Sequence, residues 1–168
     1  MNIVVITIIM YAAMYDLRFC KIPNQTVIAI IIIGLTQSTI TTFGLFPIHS
    51  ISLIDSCLGF SSGLIICLFL HYVGVFGAGD AKLLASLGTI VGFPYIILLI
   101  SVAIFTAGFL SLLRLTCYGE FNDLCRRWCN AIIYKNYQAP KINSVASSAV
   151  PMGGAILLAT MFCHFYLL

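Results

Sequence analysis

Leu83-Leu84-Ala85-Ser86-Leu87-Gly88-Thr89-Ile90-Val91-Gly92-Phe93-Pro94-Tyr95-Ile96-Ile97-Leu98-Leu99-Ile100 reads either as one kinked helix or as two helices parted at Pro94. The choice decides the fold, because it changes by one the number of times the chain crosses a membrane. That a membrane is involved follows from composition. Of 168 residues, 61% are hydrophobic and 8% charged, against about 25% charged in soluble domains. So little polar surface excludes a soluble enzyme and a disordered linker. Eight cations and a net charge of +3 also exclude a nucleic-acid partner. The length allows roughly four to seven spans of about 20 residues each.

Working outward from that stretch gives six apolar segments: residues 2–15, 26–41, 51–73, 83–93, 95–113 and 145–168. The first and fourth are short, and runs of about 10–14 residues also suit buried or re-entrant elements. Residues 1–10 lack a basic leader region, and no small-residue cleavage site follows, so the first segment is expected to stay as a span. With the N-terminus outside, six spans put three connections inside: residues 16–25, 74–82 and 114–144. Arg18, Lys21, Lys82, Arg114, Arg126, Arg127, Lys135 and Lys141 all fall in or beside them. The outer connections, 42–50 and 92–94, carry no cation. Cytoplasmic loops are the cation-rich ones. A single helix over 83–113 would move Arg114 to Lys141 to the opposite side from Arg18 and Lys21, and is rejected. The expectation is one all-α, polytopic domain over residues 1–168, with both termini outside.

Within the 114–144 connection, Phe121, Leu124, Cys125, Trp128 and Ile132 share one helix face. Asn122, Asp123, Arg126, Arg127 and Asn130 take the other, with Asp123 and Arg127 spaced as an i, i+4 pair. The pattern predicts a basic amphipathic helix, either on the inner leaflet or merely solvated.

Seven cysteines are an odd number without paired C-x-x-C motifs, so no structural zinc site is expected. Cys57, Cys67 and Cys163 read as packing thiols. His49, His71 and His164 have no evident Ser or Cys partner. No cofactor or metal is implied.

Of the five acids, Glu120 and Asp123 lie in the polar loop, and Asp55 near the outer end of the third segment. Asp16 and Asp80 both sit where a span meets a short inner connection. Acids at a membrane edge are costly and so mark function. Asp80 follows two glycines in Phe76-Gly77-Ala78-Gly79-Asp80-Ala81-Lys82, which offer unusual backbone angles and close approach. Asp16 opens Asp16-Leu17-Arg18-Phe19-Cys20-Lys21-Ile22-Pro23-Asn24, where Pro23 and Asn24 start the next helix. Two close carboxylates share a proton, so one acts as acid and the other as base. That pair suits aspartic proteolysis, in which one takes a proton from water and the other protonates the leaving amine.

Asp16-x5-Ile22-Pro23-Asn24 together with Gly77-x-Gly79-Asp80-x-Lys82 resembles the type IV prepilin peptidases, membrane aspartic proteases of the GxGD class. The short chain is similar to the peptidase-only branch associated with Flp (tight-adherence) pili. Val150-Pro151-Met152-Gly153-Gly154 is similar to the stretch opening the family's final helix, with Met152 in place of an aromatic residue. The resemblance implies Asp16 and Asp80 as the catalytic pair, and Gly77, Gly79 and Lys82 as an active-site loop. Lys82 either favours an ionised Asp80 or reaches out to the lipid surface. Pro23, Asn24, Pro151 and Gly153 are candidates for the substrate side. The implied substrate is a prepilin or pseudopilin with a basic leader and an apolar helix, cut at the cytoplasmic face of the bacterial inner membrane. The lipid bilayer and the pilus or secretion machinery are the other implied partners. The two C-x-x-C pairs of the larger, methylating members are missing, so methyl transfer is not expected. Two rival readings use the same acids: an ion relay in a transporter, and a non-catalytic pilus-assembly subunit. The glycines before Asp80 favour the peptidase, because a relay needs no glycine loop at the membrane edge.

Overall fold

The computed structural model describes residues 3–19, 21–43, 51–119, 121–134 and 152–167, except the side chains of 123, 130–132, 134, 166 and 167. Among them the regular elements are all helices: α1 (Ile3–Phe19), α2 (Asn24–Thr42), α3 (Leu53–Tyr72), α4 (Ala78–Val91), α5 (Tyr95–Cys117), α6 (Phe121–Tyr134) and α7 (Met152–Leu167). The chain is an all-α membrane protein. Helices α2, α3 and α5 are long and apolar enough to cross a bilayer. The remaining apolar segments form shorter helices of 17, 14 and 16 residues for α1, α4 and α7. Pro151 and Lys141 lie outside the described residues, as do Glu120, Lys135, His49 and Cys20. The side chain of Asp123 does too, and with it the expected pair to Arg127.

The opening stretch is two helices. α4 ends at Val91, Gly92 adopts φ +72°, and α5 starts at Tyr95 behind Pro94. That left-handed angle suits glycine, and Pro94 supplies no N–H for continuing the ladder. The break lets α5 fold back along the bundle.

α4 occupies the middle. Ala81 and every residue from Leu83 to Val91 are buried, the pattern of a helix enclosed by others. Its nearest partners are α3 and α2, while α1, α5 and α7 form a second packing group. The core joins the groups through Ile9 and Ala12 of α1, Ile30 of α2, Leu84 and Leu87 of α4, Ile96 and Leu99 of α5, and Ile156 of α7. Small residues bring α3 and α4 together. A Cβ on Gly59 would collide with the Gly88 carbonyl, and one on Gly88 with the Gly59 carbonyl. Ser56 Oγ donates to the Thr89 carbonyl at 2.6 Å across the same contact. Such small-residue seams are the usual way helices approach in lipid.

Asp55 has a structural role. Ser52 Oγ accepts from the Asp55 N–H at 3.2 Å and donates to Asp55 Oδ2 at 2.8 Å. This caps the start of α3, and the acid favours the positive end of the helix dipole.

Candidate active site

The two singled-out acids are both helical. α1 runs through Asp16 to Phe19, one turn past the expected boundary, because Leu17, Arg18 and Phe19 offer no helix breaker. Asp16 is therefore 5% exposed rather than lying in a connection. Asp80 lies in the first turn of α4, which starts at Ala78. The connecting loop is accordingly shorter than expected. Gly77 is the N-cap of α4, and Gly79 and Lys82 are helical residues, not parts of a loop.

Asp16 is gripped by the far end of the chain. Gly153 N–H donates to Asp16 Oδ2 at 2.7 Å. α7 begins at Met152, so this N–H belongs to the first turn, whose donors have no partner within the helix. The positive end of the α7 dipole thus meets a carboxylate. A Cβ on Gly153 would lie 3.0 Å from Asp16 Cβ and 3.1 Å from Ala13 Cα. Glycine is what lets α7 approach this closely. Gly153, expected on the substrate side, is instead buried against α1.

Asp80 folds back over its own cap. A Cβ on Gly77 would sit 2.8 Å from Asp80 Oδ2, so any side chain there would displace the carboxylate. Gly77 has φ −68° and ψ 150°, angles open to any residue. Its glycine is needed for space, not for the unusual angles expected. The carboxyl of Asp80 sits before the apolar run beginning at Leu83, and is pushed up to about 6. Burial is the larger cause and the charge of Asp16 the next, opposed by hydrogen bonds from the backbone N–H of Gly77 and of Asp80 itself. The charge of Asp16 therefore reaches Asp80 from a different helix.

The loops hold this arrangement from two sides. A Cβ on Gly79 would lie 3.4 Å from Ile22 Cβ, so the α1–α2 connection rests on the first turn of α4. Ile22 is half-buried and packs against the core. Pro23 caps α2 in extended conformation, and its carbonyl accepts from Thr26 Oγ1 at 2.7 Å. Asn24 is exposed as the first residue of α2. Behind Gly77, His71 Nδ1 lies 2.8 Å from the Phe76 carbonyl, and Phe76 is buried at 4%. A carbonyl accepts only, so Nδ1 carries the proton. His71 thereby fixes the residue just before Gly77. Sequence reading did not find this role, since a contact from a ring nitrogen to a backbone carbonyl leaves no motif.

Lys82 is exposed and two residues past Asp80. Residues so spaced on a helix do not face each other. Arg18 and Lys21 are exposed at the same end. A cavity of about 250 Å³ between α1 and α2 is lined by Thr7, Ile8, Tyr11, Gln25, Thr26 and Ala29. Neither acid lines it.

Chemically, the site offers two interacting carboxylates at one end of a buried core. No curated protein and no solved structure matches the chain. The family model of the type IV leader peptidases, however, matches residues 3–112, a span that contains Asp16, the Ile22-Pro23-Asn24 turn and the Gly77–Asp80 cap. The chain belongs to the type IV leader peptidase family.

Proposed function

We propose that this protein is an aspartic endopeptidase that removes the leader of type IV, Flp-like prepilins or pseudopilins, with Asp16 and Asp80 as its catalytic pair. The observation that carries this reading is the charge of Asp16 acting on Asp80 from a different helix, in a chain of this peptidase family. Asp80, with its pKa raised to about 6, is assigned as the member that carries the proton in the active form, below that pH. Asp16 is then the base. It takes a proton from a water molecule whose oxygen attacks the scissile carbonyl, while Asp80 donates a hydrogen bond to the carbonyl oxygen. The resulting tetrahedral intermediate collapses by breaking its C–N bond. Asp80 gives its proton to the leaving nitrogen, and the proton that Asp16 took from water passes to Asp80 to reset the pair, giving a free carboxylic acid on the leader and a free amine on the mature protein. Gly153 N–H orients Asp16, and Gly77 N–H orients Asp80.

The chain is placed in the bacterial inner membrane, with its termini outside and the site at the cytoplasmic face. Arg18, Lys21 and Lys82 flank the two acids, and cation-rich ends remain inside. A basic leader would reach the acids there. Pro23, Asn24 and Pro151 are the remaining substrate-side candidates, and Lys82 extends to the lipid surface.

The test is co-expression with a candidate prepilin, followed by mass spectrometry of the product. Wild type shortens the substrate by its leader. Asp16→Asn and Asp80→Asn each reduce cleavage by about 10²–10⁴-fold, the usual contribution of a positioned acid or base. Retained cleavage in either variant would sink the pair. Binding without cleavage by the wild type would favour the assembly-subunit reading.

A further inference from the structure

We propose that α6 is an interfacial helix that binds the anionic lipid surface, with its apolar side immersed and its arginines on lipid phosphates. Among the described helices, α6 touches only α5. Its Phe121 and Trp128 remain 39% and 65% exposed. At about 100° per residue, Phe121, Leu124, Cys125 and Trp128 fall within one arc. Arg127 and Arg126 lie on opposite sides of that arc, about 110° and 150° from its centre. Flanking arginines have stems long enough to carry the guanidinium back to headgroup level.

Two observations identify lipid, rather than another protein, as the occupant. The first is connectivity. α5 is long and apolar enough to cross the bilayer, and α6 begins at Phe121, four residues after Cys117. That distance is at most about 15 Å of chain, so α6 starts beside the membrane surface. Gly119, at φ +72°, makes the turn, and exposed Tyr118 suits the interfacial layer where aromatic rings collect. The second is charge. From Arg114 to Lys141 the chain carries five cations, Arg114, Arg126, Arg127, Lys135 and Lys141, against the two acids Glu120 and Asp123. A basic excess next to a span is attracted to anionic headgroups.

Trp128 is the only tryptophan in the chain, so the intrinsic fluorescence of the full-length protein reports on α6. The protein is reconstituted into vesicles of phosphatidylcholine alone, or of phosphatidylcholine mixed with phosphatidylglycerol. In the mixed vesicles Trp128 emission is expected to shift to the blue, to be quenched by lipids brominated near the top of the acyl chain, and to resist acrylamide. Raising salt should reopen it to acrylamide. Arg126→Gln with Arg127→Gln should lower the bound-to-free ratio of α6 about thirtyfold, from the typical attraction of each arginine. The salt titration on wild type gives the same answer without depending on the variant. Equal acrylamide access in both vesicle types, with no bromine quenching, would overturn the proposal. So would shielding that ignores brominated lipid and salt but grows with protein-to-lipid ratio, which marks a second copy as the occupant.

Discussion

Asp80 and Gly77 show how one missing methyl can set an acid's proton. Asp80 Oδ2 lies 2.8 Å from where a Gly77 Cβ would be, and the Gly77 N–H is one of the influences that lower its pKa. If Asp80 works as the protonated member, its active form declines as pH rises through about 6. The cleavage rate of the solubilised enzyme should fall across that range. In Gly77→Ala the displaced carboxylate loses a stabilising donor, so the decline should begin at higher pH; a profile identical to wild type would refute the argument. Gly153→Ala acts on the other acid. Its Cβ would press on Asp16 and on the Ala13 backbone, lengthening the Gly153–Asp16 hydrogen bond. A loss of about tenfold in cleavage rate is expected from such misplacement, with the protein still folded in a thermal melt. The acids were legible in the sequence as candidates, because scarce charge at membrane edges stands out. Their orientation was not. Gly153 is 137 residues from Asp16, and the His71 contact ends on a backbone carbonyl; neither contact leaves a trace in spacing or periodicity.

At the scale of elements, the seam between α3 and α4 fixes the helix that carries Asp80. Gly59→Ala and Gly88→Ala each drive a methyl into the facing backbone. Overpacking of this kind costs about 1–3 kcal/mol, and should show as a lower melting temperature in detergent. Gly63→Ala should be milder, since its Cβ would first meet the Ile96 side chain, at 3.0 Å, which can turn away. Gly108→Ala meets nothing within 4 Å and removes a helix-interior glycine, so it should be neutral or stabilising by up to about 1 kcal/mol. Equal destabilisation by all four would show that the seam is not special. The helices themselves were mostly readable. Apolar runs, the Gly92–Pro94 break and the amphipathic period of α6 each marked an element. Ends were harder: α1 outran its apolar run by one turn and α4 began before its own, because helix hydrogen bonding continues across polar residues that contain no proline.

At the scale of the whole molecule, the cation pattern makes a prediction about sidedness. Cys117, Cys125 and Cys129 are exposed near the connection-bearing end of α5. In intact cells an impermeant maleimide should leave them unlabelled, and in inverted membrane vesicles it should label them. The reverse result would turn the topology over and put the acids on the outer face. The orientation is an expectation from charge alone, and the sequence held no sign of how the helices group. That grouping has a further consequence. Asp16 rides on α1, which packs mainly with α7, whereas Asp80 rides on α4, which packs mainly with α3 and α2. The separation of the carboxylates thus depends on how the α1–α5–α7 group packs against the α2–α3–α4 group across the core they share. In the pair proposed above, a bilayer that presses the two groups together draws the acids closer, as a clamp is tuned by the screw that closes its jaws.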